Sequence, residues 1–317
     1  MTSLILSAQI VVPMFLLMGL GVFLRLRGLL EGKALEDLNN LCFQLFLPIS
    51  LFRNIYQVDL RDLPSLRLLA FGAGVQLVML AVLLLVIPRL VPDAATRGST
   101  AHAVFRSNFI LFGLILAEGL ATGPRDLAVV SVLAAVMIPL SCVGGVVLLE
   151  KYRGGRTSVQ QVLRKILTNP FVVSSALGFV LLLLGVRVPT VVDKAVEDLA
   201  RVATPLSLLA LGAWFQPGSL ARYRRELLVG TVGRLLVAPG VFLPLCIWAG
   251  FRDAELLGLT CMLIAPTAVS TFNMAQQMEA DGQLAGLLII VQSAVSVVTM
   301  FGWIFLLGSL GLLAAAG

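Results

Sequence analysis

Charged side chains are scarce in this sequence. Lysine, arginine, aspartate and glutamate make up 13% of its 317 residues, whereas hydrophobic residues make up 59%. A soluble globular domain carries about 25% charged residues. A water-facing surface cannot be built from half that share. This excludes a soluble enzyme and a nucleic-acid-binding protein, despite the net charge of +6.

The sequence is also poor in the residues that build metal and catalytic centres. It has one histidine, His102, and four cysteines that stand apart within apolar stretches, without a CxxC pair. It contains no HExxH motif and no DDxxD-like acidic cluster. Disulfides, structural zinc and an intramembrane metalloenzyme are therefore not expected. We predict no enzyme activity, no cofactor and no metal site.

Long apolar segments are present instead. Crossing a bilayer takes about 20 apolar residues per helix, and polar or Gly/Pro-containing breaks divide this chain into ten such segments. They lie at residues 4–24, 35–55, 66–87, 100–120, 127–149, 170–186, 191–215, 227–250, 256–278 and 284–307. The sequence predicts an all-α polytopic membrane protein with ten transmembrane helices in a lipid bilayer.

The basic residues indicate an orientation. Ten segments place both termini on one side of the membrane. The loops that follow odd-numbered segments hold thirteen lysines and arginines, against eight on the opposite side. Because basic loops stay in the cytoplasm, we expect both termini outside it and the loop 151–165 inside it. The expected location is the inner (plasma) membrane.

A short internal match indicates two related halves. Residues 47–52 (LPISLF) match residues 204–209 (TPLSLL) at an offset of 157 residues. The chain would then consist of a five-helix repeat at 1–150, the basic loop at 151–165 and a second five-helix repeat at 166–317. Because five is odd, the halves would have opposite topology, which is typical of transporters. Two unrelated proline-containing helices are the alternative.

Two segments carry polar residues near the middle of the membrane. Arg106 and Asn108 interrupt segment 4, and Pro266 with Thr267 interrupts segment 9. A proline frees a backbone carbonyl, and such a break is tolerated where protein or a water-filled cavity covers it. Segments 4 and 9 correspond in the two halves, so breaks there would place helix ends at the membrane midplane. Segments 2 and 7, which each contain a proline, are the competing pair.

The order and spacing of several motifs resemble those of the auxin efflux carrier family of membrane transporters. The resemblance covers nearly the whole chain. The motifs are residues 38–39 with 47–48 and 51–52, residues 105–108 (FRSN) with 112–113, residues 169–170 (NP), residues 205–208 (PLSL) with 211–212, residues 265–268 (APTA) and residues 281–282 (DG). One departure follows Gly113, where many relatives have a proline and this chain has Leu114 and Ile115.

The resemblance implies a fold and a mechanism. The fold would be two inverted five-helix repeats, with helices 4 and 9 broken and crossing at the centre. Helices 1, 2, 6 and 7 would form a scaffold that dimerises, and the remaining helices would carry the substrate by an elevator-like shift. The family's substrates are small organic carboxylates. The related bile-acid symporters share the architecture but couple to sodium.

The predicted function is secondary transport of small organic anions by a homodimer. The candidate substrate-binding residues are Asn108, Arg106, Pro266, Thr267, Thr271, Asn273 and Gln292. Arg106 can bind a carboxylate through two hydrogen bonds, and Asn108 can donate its amide. Each polar side chain could instead form a bond between helices. For the whole protein, a sodium-coupled symporter of the bile-acid type and a non-transporting receptor are the alternatives.

Two further polar side chains are expected at the membrane surface. Arg234 lies about two turns inside segment 8, and its long side chain should reach the cytoplasmic interface. His102 lies at the start of segment 4. We expect it at the surface, although a proton-sensing role is the alternative.

Overall fold

Helices make up most of the part of the chain that the computed structural model describes, which is residues 2–58, 65–153, 159–186, 188–215 and 217–313. These ranges contain no β-strand and one isolated backbone bridge, which lies at the centre of the molecule. The prediction of an all-α protein is confirmed.

Seven α-helices and two π-helical turns form the described part of the chain up to residue 153. The helices are α1 (Thr2–Leu26), α2 (Gly32–Leu41), α3 (Leu47–Tyr56), α4 (Leu66–Leu90), α5 (Ala94–Phe105), α6 (Ile115–Leu120) and α7 (Pro124–Tyr152). One π-helical turn, Cys42–Phe46, joins α2 to α3, and the other, Phe109–Leu114, leads into α6.

Eight more α-helices follow in the described residues from 159 onward. They are α8 (Val159–Thr168), α9 (Pro170–Leu183), α10 (Thr190–Trp214), α11 (Arg224–Val232), α12 (Ala238–Trp248), α13 (Asp253–Ile264), α14 (Ser270–Gln277) and α15 (Gly282–Ser309). A short 3₁₀ turn, Pro217–Ser219, follows α10, and a third π-helical turn, Gly233–Val237, joins α11 to α12.

Polar side chains begin four of these helices. The side-chain oxygens of Ser65, Asp93, Asn169 and Asp281 accept hydrogen bonds from backbone N–H groups in the first turns of α4, α5, α9 and α15, at 2.9 to 3.1 Å. The first N–H groups of a helix have no partner inside it, so each such cap stabilises the helix by about 1 kcal/mol. These residues therefore set where the apolar helices begin.

Four helical stretches in the described residues are long and apolar enough to cross a membrane. They are Leu66–Leu90, Arg125–Tyr152, Arg224–Trp248 and Gly282–Ser309. A fifth results if α8 and α9, bent by 62° where they meet, form one broken span. Among the other predicted segments, those of α5 and α13 are interrupted, and that of α10 has charged residues in its first turns. The apolar stretch Val12–Leu26 of α1 is shorter than a span. The described part of the chain thus contains four or five candidate membrane spans, and ten spans stay a prediction.

The predicted basic loop at 151–165 differs from the structure at its end. Helix α8 begins at Val159, inside that loop, and continues to Thr168. It ends there because Asn169 caps the next helix and Pro170 occupies that helix's first position. Residues 154–158 lie outside the described residues.

Helices α1 and α10 pack closely through two glycines. A Cβ atom at Gly21 would collide with the carbonyl oxygen of Leu209, and one at Gly212 would collide with that of Met18. Small residues let helix backbones approach in this way in membrane proteins. Gly19, by contrast, faces open space. The α1–α10 contact therefore depends on Gly21 and Gly212.

Helix α13 is buried along most of its length. All of its residues from Leu256 to Ile264 are buried, and the helix packs against α7, α12 and α15. Helix α5 is buried along most of its length and packs against α4, α7 and α15. These two helices carry the polar interruptions into the centre of the molecule.

Candidate functional site

Two helices are interrupted at the centre of the protein. Helix α5 ends at Phe105, and residues 106–108 leave the helical conformation before the π-helical turn that leads into α6. Helix α13 ends at Ile264, and α14 begins only at Ser270. Both interruptions fall within the segments where the sequence predicts breaks. The first has no proline, and the departure after Gly113 coincides with the π-helical turn.

The two interrupted stretches pair with each other in antiparallel fashion. Ser107 and Thr267 form the backbone bridge, and the N–H of Asn108 donates to the carbonyl of Pro266 at 2.8 Å. The hydroxyl of Ser107 donates to the carbonyl of Met262 at 2.7 Å. That carbonyl lies in the last turn of α13, where helix carbonyls have no partner of their own. We call this paired region, residues 106–108 and 265–269, the crossover.

Gln292 of α15 holds the second stretch of the crossover. Its Oε1 accepts the N–H of Thr267 at 3.0 Å, and its Nε2 donates to the carbonyl of Gly230 at 3.0 Å. The side chain is fully buried. Because both ends of its amide are bonded to backbone, Gln292 links α11, the crossover and α15.

Arg234 lies behind the crossover, on the π-helical turn between α11 and α12. Its Nε donates to the carbonyl of Ala265 at 2.8 Å, its Nη2 to that of Met262 at 2.7 Å and its Nη1 to that of Val104 at 3.4 Å. The expectation that it reaches the membrane surface is wrong, because the residue is only 1% exposed. Backbone carbonyls at two helix ends replace the water that its guanidinium would otherwise bind.

A cavity of about 100 Å³ lies on the other side of the crossover. Its polar lining consists of residues 106–108, Ser50, Thr204 and Ser270, and its apolar lining includes Leu51, Ile138 and Phe171. Pockets for drug-sized ligands are about 300–1,000 Å³. The cavity therefore has room for a small molecule of a few heavy atoms.

Arg106 brings an uncompensated positive charge to this cavity. The residue is 4% exposed and has no carboxylate partner among the described residues. Its Nη1 donates to the sulfur of Met274 at 2.8 Å, and its guanidinium lies 5.5 Å from the ring centroid of Phe171. A sulfur acceptor is weak. The guanidinium thus keeps most of its capacity to bind an anion.

Asn108 supplies a second donor. Its Oδ1 accepts the N–H of Leu111 at 3.3 Å and so caps the π-helical turn. Its Nδ2 is buried and has no hydrogen-bond partner within the described residues. Leaving such a group unbonded costs roughly 1–3 kcal/mol. The same cavity is therefore lined by an unpaired cation and an unpaired amide donor.

The other predicted site residues lie at the crossover or behind it, and none of them lines the cavity. Pro266 and Thr267 form its backbone. The hydroxyls of Thr267 and Thr271 lie 3.1 Å apart, and the Nδ2 of Asn273 donates to the Oδ1 of Asn39 at 2.6 Å. The side chains of Thr267, Thr271 and Gln292 bond within the protein, whereas the buried Oδ1 of Asn273 has no hydrogen-bond partner within the described residues. The structure thus brings Arg106 and Asn108 together at the cavity and gives the remaining five positions bonds between or within helices.

The sequence predicted that His102 lies at the surface, and this prediction is wrong. It is fully buried on α5, one turn before Arg106, and neither ring nitrogen has a hydrogen-bond partner among the described residues. A Cβ atom at Gly145 of α7 would come within 2.6 Å of its Nε2. The imidazole fills a gap between α5 and α7 that a glycine leaves open.

Sequence reasoning did not single out Ser50 and Thr204, which line the cavity from α3 and α10. Both lie in or at the matching stretches 47–52 and 204–209, and this match was the available signal. The sequence left open whether segments 4 and 9 or segments 2 and 7 carry the site. The cavity is lined by residues of all four.

The comparison with known families decides the kind of protein. The sequence pattern of a family described as "Membrane transport protein" matches residues 7–304. The chain belongs to this family, the auxin efflux carrier family. The resemblance seen in the sequence motifs is thereby confirmed, and the protein is a member of a membrane transporter family.

Two curated relatives agree with this family. A protein of Rhizobium meliloti (strain 1021) named "Putative malonate transporter" is 27% identical over 150 residues. That match covers 47% of each chain, so it spans about half the length of this relative. An uncharacterized transporter of Methanocaldococcus jannaschii (strain ATCC 43067) is 21% identical over 315 residues, which cover 94% of this chain and 98% of the relative.

Proposed function

We propose that this family member is a secondary transporter of small organic anions, specifically carboxylates, and that it binds them at the crossover. The observation that carries the proposal is the cavity in which, among the residues that the structure describes, buried Arg106 lacks an acidic partner and the amide of Asn108 lacks an acceptor. A carboxylate complements both groups, because it accepts hydrogen bonds and neutralises the charge.

The size of the cavity favours small acids. About 100 Å³ is well below the volume of a drug-sized pocket. The relative named for malonate supports a short dicarboxylate as the first substrate to test. The hydroxyls of Ser50, Thr204 and Ser270 on the cavity wall can bind the second carboxylate of such a molecule.

The proposed mechanism is alternating access of the elevator type. Helices α1, α3, α9 and α10 pack on one another, as α1 with α10 and α3 with both α9 and α10. Helices α5, α7, α13 and α15 form a second packed group that holds the crossover. The cavity is lined from both groups. A shift of the second group along the first would carry an anion bound at Arg106 across the membrane.

The proposed architecture has ten membrane spans in two inverted five-helix repeats, at 1–150 and 166–317. Both termini lie outside the cytoplasm, the segment 151–165 lies inside it, and the protein is a homodimer in the inner (plasma) membrane. The interrupted helices α5 and α13 would be the first parts of spans 4 and 9. Their antiparallel pairing at Ser107 and Thr267 supports this correspondence.

Counterflow in proteoliposomes tests the proposed function. Purified protein would be reconstituted with unlabelled malonate inside, and the uptake of labelled malonate, succinate, acetate and glycine would be measured. We expect uptake of the carboxylate anions, loss of that uptake in Arg106→Gln, and no uptake of glycine, whose zwitterion has no net negative charge. Uptake that depends on sodium would favour the symporter alternative. Carboxylate binding in a thermal-shift assay without any counterflow would favour a receptor.

A further inference from the structure

Arg234 occupies a position that the proposed transport reaction does not explain. Helices α5 and α13 both end at the crossover, and their last turns point carbonyl groups at the same place. The guanidinium of Arg234 bonds to three of these groups, on Val104, Met262 and Ala265. No carboxylate pairs with Arg234 within the described residues.

One positive charge would neutralise the partial negative charges of these two helix ends. The C-terminus of a helix carries a partial charge of about −0.5, so two converging ends amount to roughly −1. In membrane carriers with discontinuous helices, carbonyls at such ends coordinate a free cation such as sodium. Here the single charge of Arg234 balances them, and three carbonyl oxygens accept hydrogen bonds from its guanidinium.

We infer that the carbonyl ends of α5 and α13 form a monovalent-cation site that the tethered guanidinium of Arg234 fills permanently. The protein therefore carries its own cation at the crossover and requires no sodium for transport. Arg234 is a positioning residue: it lies behind the crossover, does not line the substrate cavity, and holds the two helix ends together. The part of the inference that concerns sodium rests on the proposed function, whereas the cation site itself does not.

The local sequence supports this arrangement. A π-helical turn at Gly233–Val237 places Arg234 toward the crossover, and π-helical turns are frequent at functional sites. Pro239 cannot donate to the carbonyl of Leu235, which instead accepts the indole N–H of Trp303 at 3.0 Å. A Cβ atom at Gly233 would be 3.1 Å from the side chain of Val104. The turn and its small residue thus bring the guanidinium close to α5.

The test is chemical rescue of Arg234→Ala, read as thermal stability of the purified protein. Melting would be measured in choline chloride with guanidinium chloride added up to about 20 mM, and with urea as a neutral molecule of similar shape. We expect a melting temperature lower than that of the wild type by roughly 5 °C or more. Guanidinium should restore it in a saturable way, and urea should not.

Matched controls make the outcome decisive. Arg234→Met fills the space without a charge, and the wild type has no vacant site, so guanidinium should stabilise neither. No rescue of Arg234→Ala, or equal rescue by urea, would overturn the inference. If Arg234→Ala does not fold, Arg234→Lys and Arg234→Gln decide instead. Lysine should give the higher melting temperature, and a glutamine variant as stable as the lysine variant would refute a cation site.

A second measurement separates this inference from the proposed function. Carboxylate counterflow by the wild type should be equal in sodium and choline media, and guanidinium should restore it in Arg234→Ala. Stimulation of the wild type by sodium would contradict the claim that Arg234 takes the place of a free cation. If the wild type catalyses no counterflow at all, the proposed function fails, whereas the rescue of thermal stability still tests the site.

Discussion

Replacing Arg106 with glutamine should affect stability and anion binding in opposite directions. The guanidinium is 4% exposed and has no ion-pair partner among the described residues. Burying a charge carries an effective penalty of several kcal/mol. The contact with Phe171, at 5.5 Å, returns about 2 kcal/mol. We therefore expect Arg106→Gln to melt at the same temperature as the wild type, or higher, when no anion is present.

Anion binding should weaken in the same variant. A hydrogen bond to a charged group contributes about 1.5–3 kcal/mol. Because 1.4 kcal/mol is a factor of ten in affinity, the Kd for a carboxylate should rise about 10- to 100-fold. Isothermal titration calorimetry with malonate in detergent measures the Kd, and melting with and without malonate measures both effects in one experiment.

Two variants complete this experiment. Arg27→Gln removes a charge at an exposed position of the chain, where Arg27 lies over the ring of Phe23, and should change neither quantity. Arg106→Lys keeps the charge and should retain part of the affinity. A loss of stability in Arg106→Gln with an unchanged Kd would refute the reasoning, because it would mean that the guanidinium has a structural role only.

Three other predictions follow from the contacts described above. Asn108→Asp keeps the oxygen that caps the π-helical turn but replaces the amide group with a negative charge. Carboxylate binding, measured by calorimetry, should therefore be lost while the fold persists. Retained binding would exclude the amide from the site. Gly212→Val should abolish folding, because the side chain would collide with the carbonyl of Met18, whereas Gly19→Val should fold normally. Equal yields of monodisperse protein from the two variants would contradict this prediction. Asp281→Ala removes the cap of α15 and should lower the melting temperature by about 2–4 °C, from about 1 kcal/mol; no shift would mean that water replaces the cap.

The helical membrane class and the position of the breaks could be predicted from the sequence alone. Composition excludes a water-facing surface, and the apolar segments coincide with helices because a membrane leaves few alternatives for backbone hydrogen bonds. Arg106, Asn108 and Pro266 were recognisable because polar groups and proline are costly at mid-membrane unless something compensates them. Such local signals reveal that a helix is interrupted and that a polar side chain needs a partner.

The identity of the partner depends on residues far apart in the chain, and only the tertiary structure decides it. Asn273 bonds to Asn39, 234 positions away, and Arg234 bonds to Val104, 130 positions away. Asn273 and Asn108 were both candidates, but the amide N–H of Asn273 donates to another helix, whereas that of Asn108 has no acceptor within the described residues. Polarity is a property of each side chain, but whether a charge is compensated depends on which helices meet around it. The sequence therefore determined where polar groups interrupt the apolar segments, and the packing of α5, α13 and their neighbours decided which of them bond to other helices and which line the cavity.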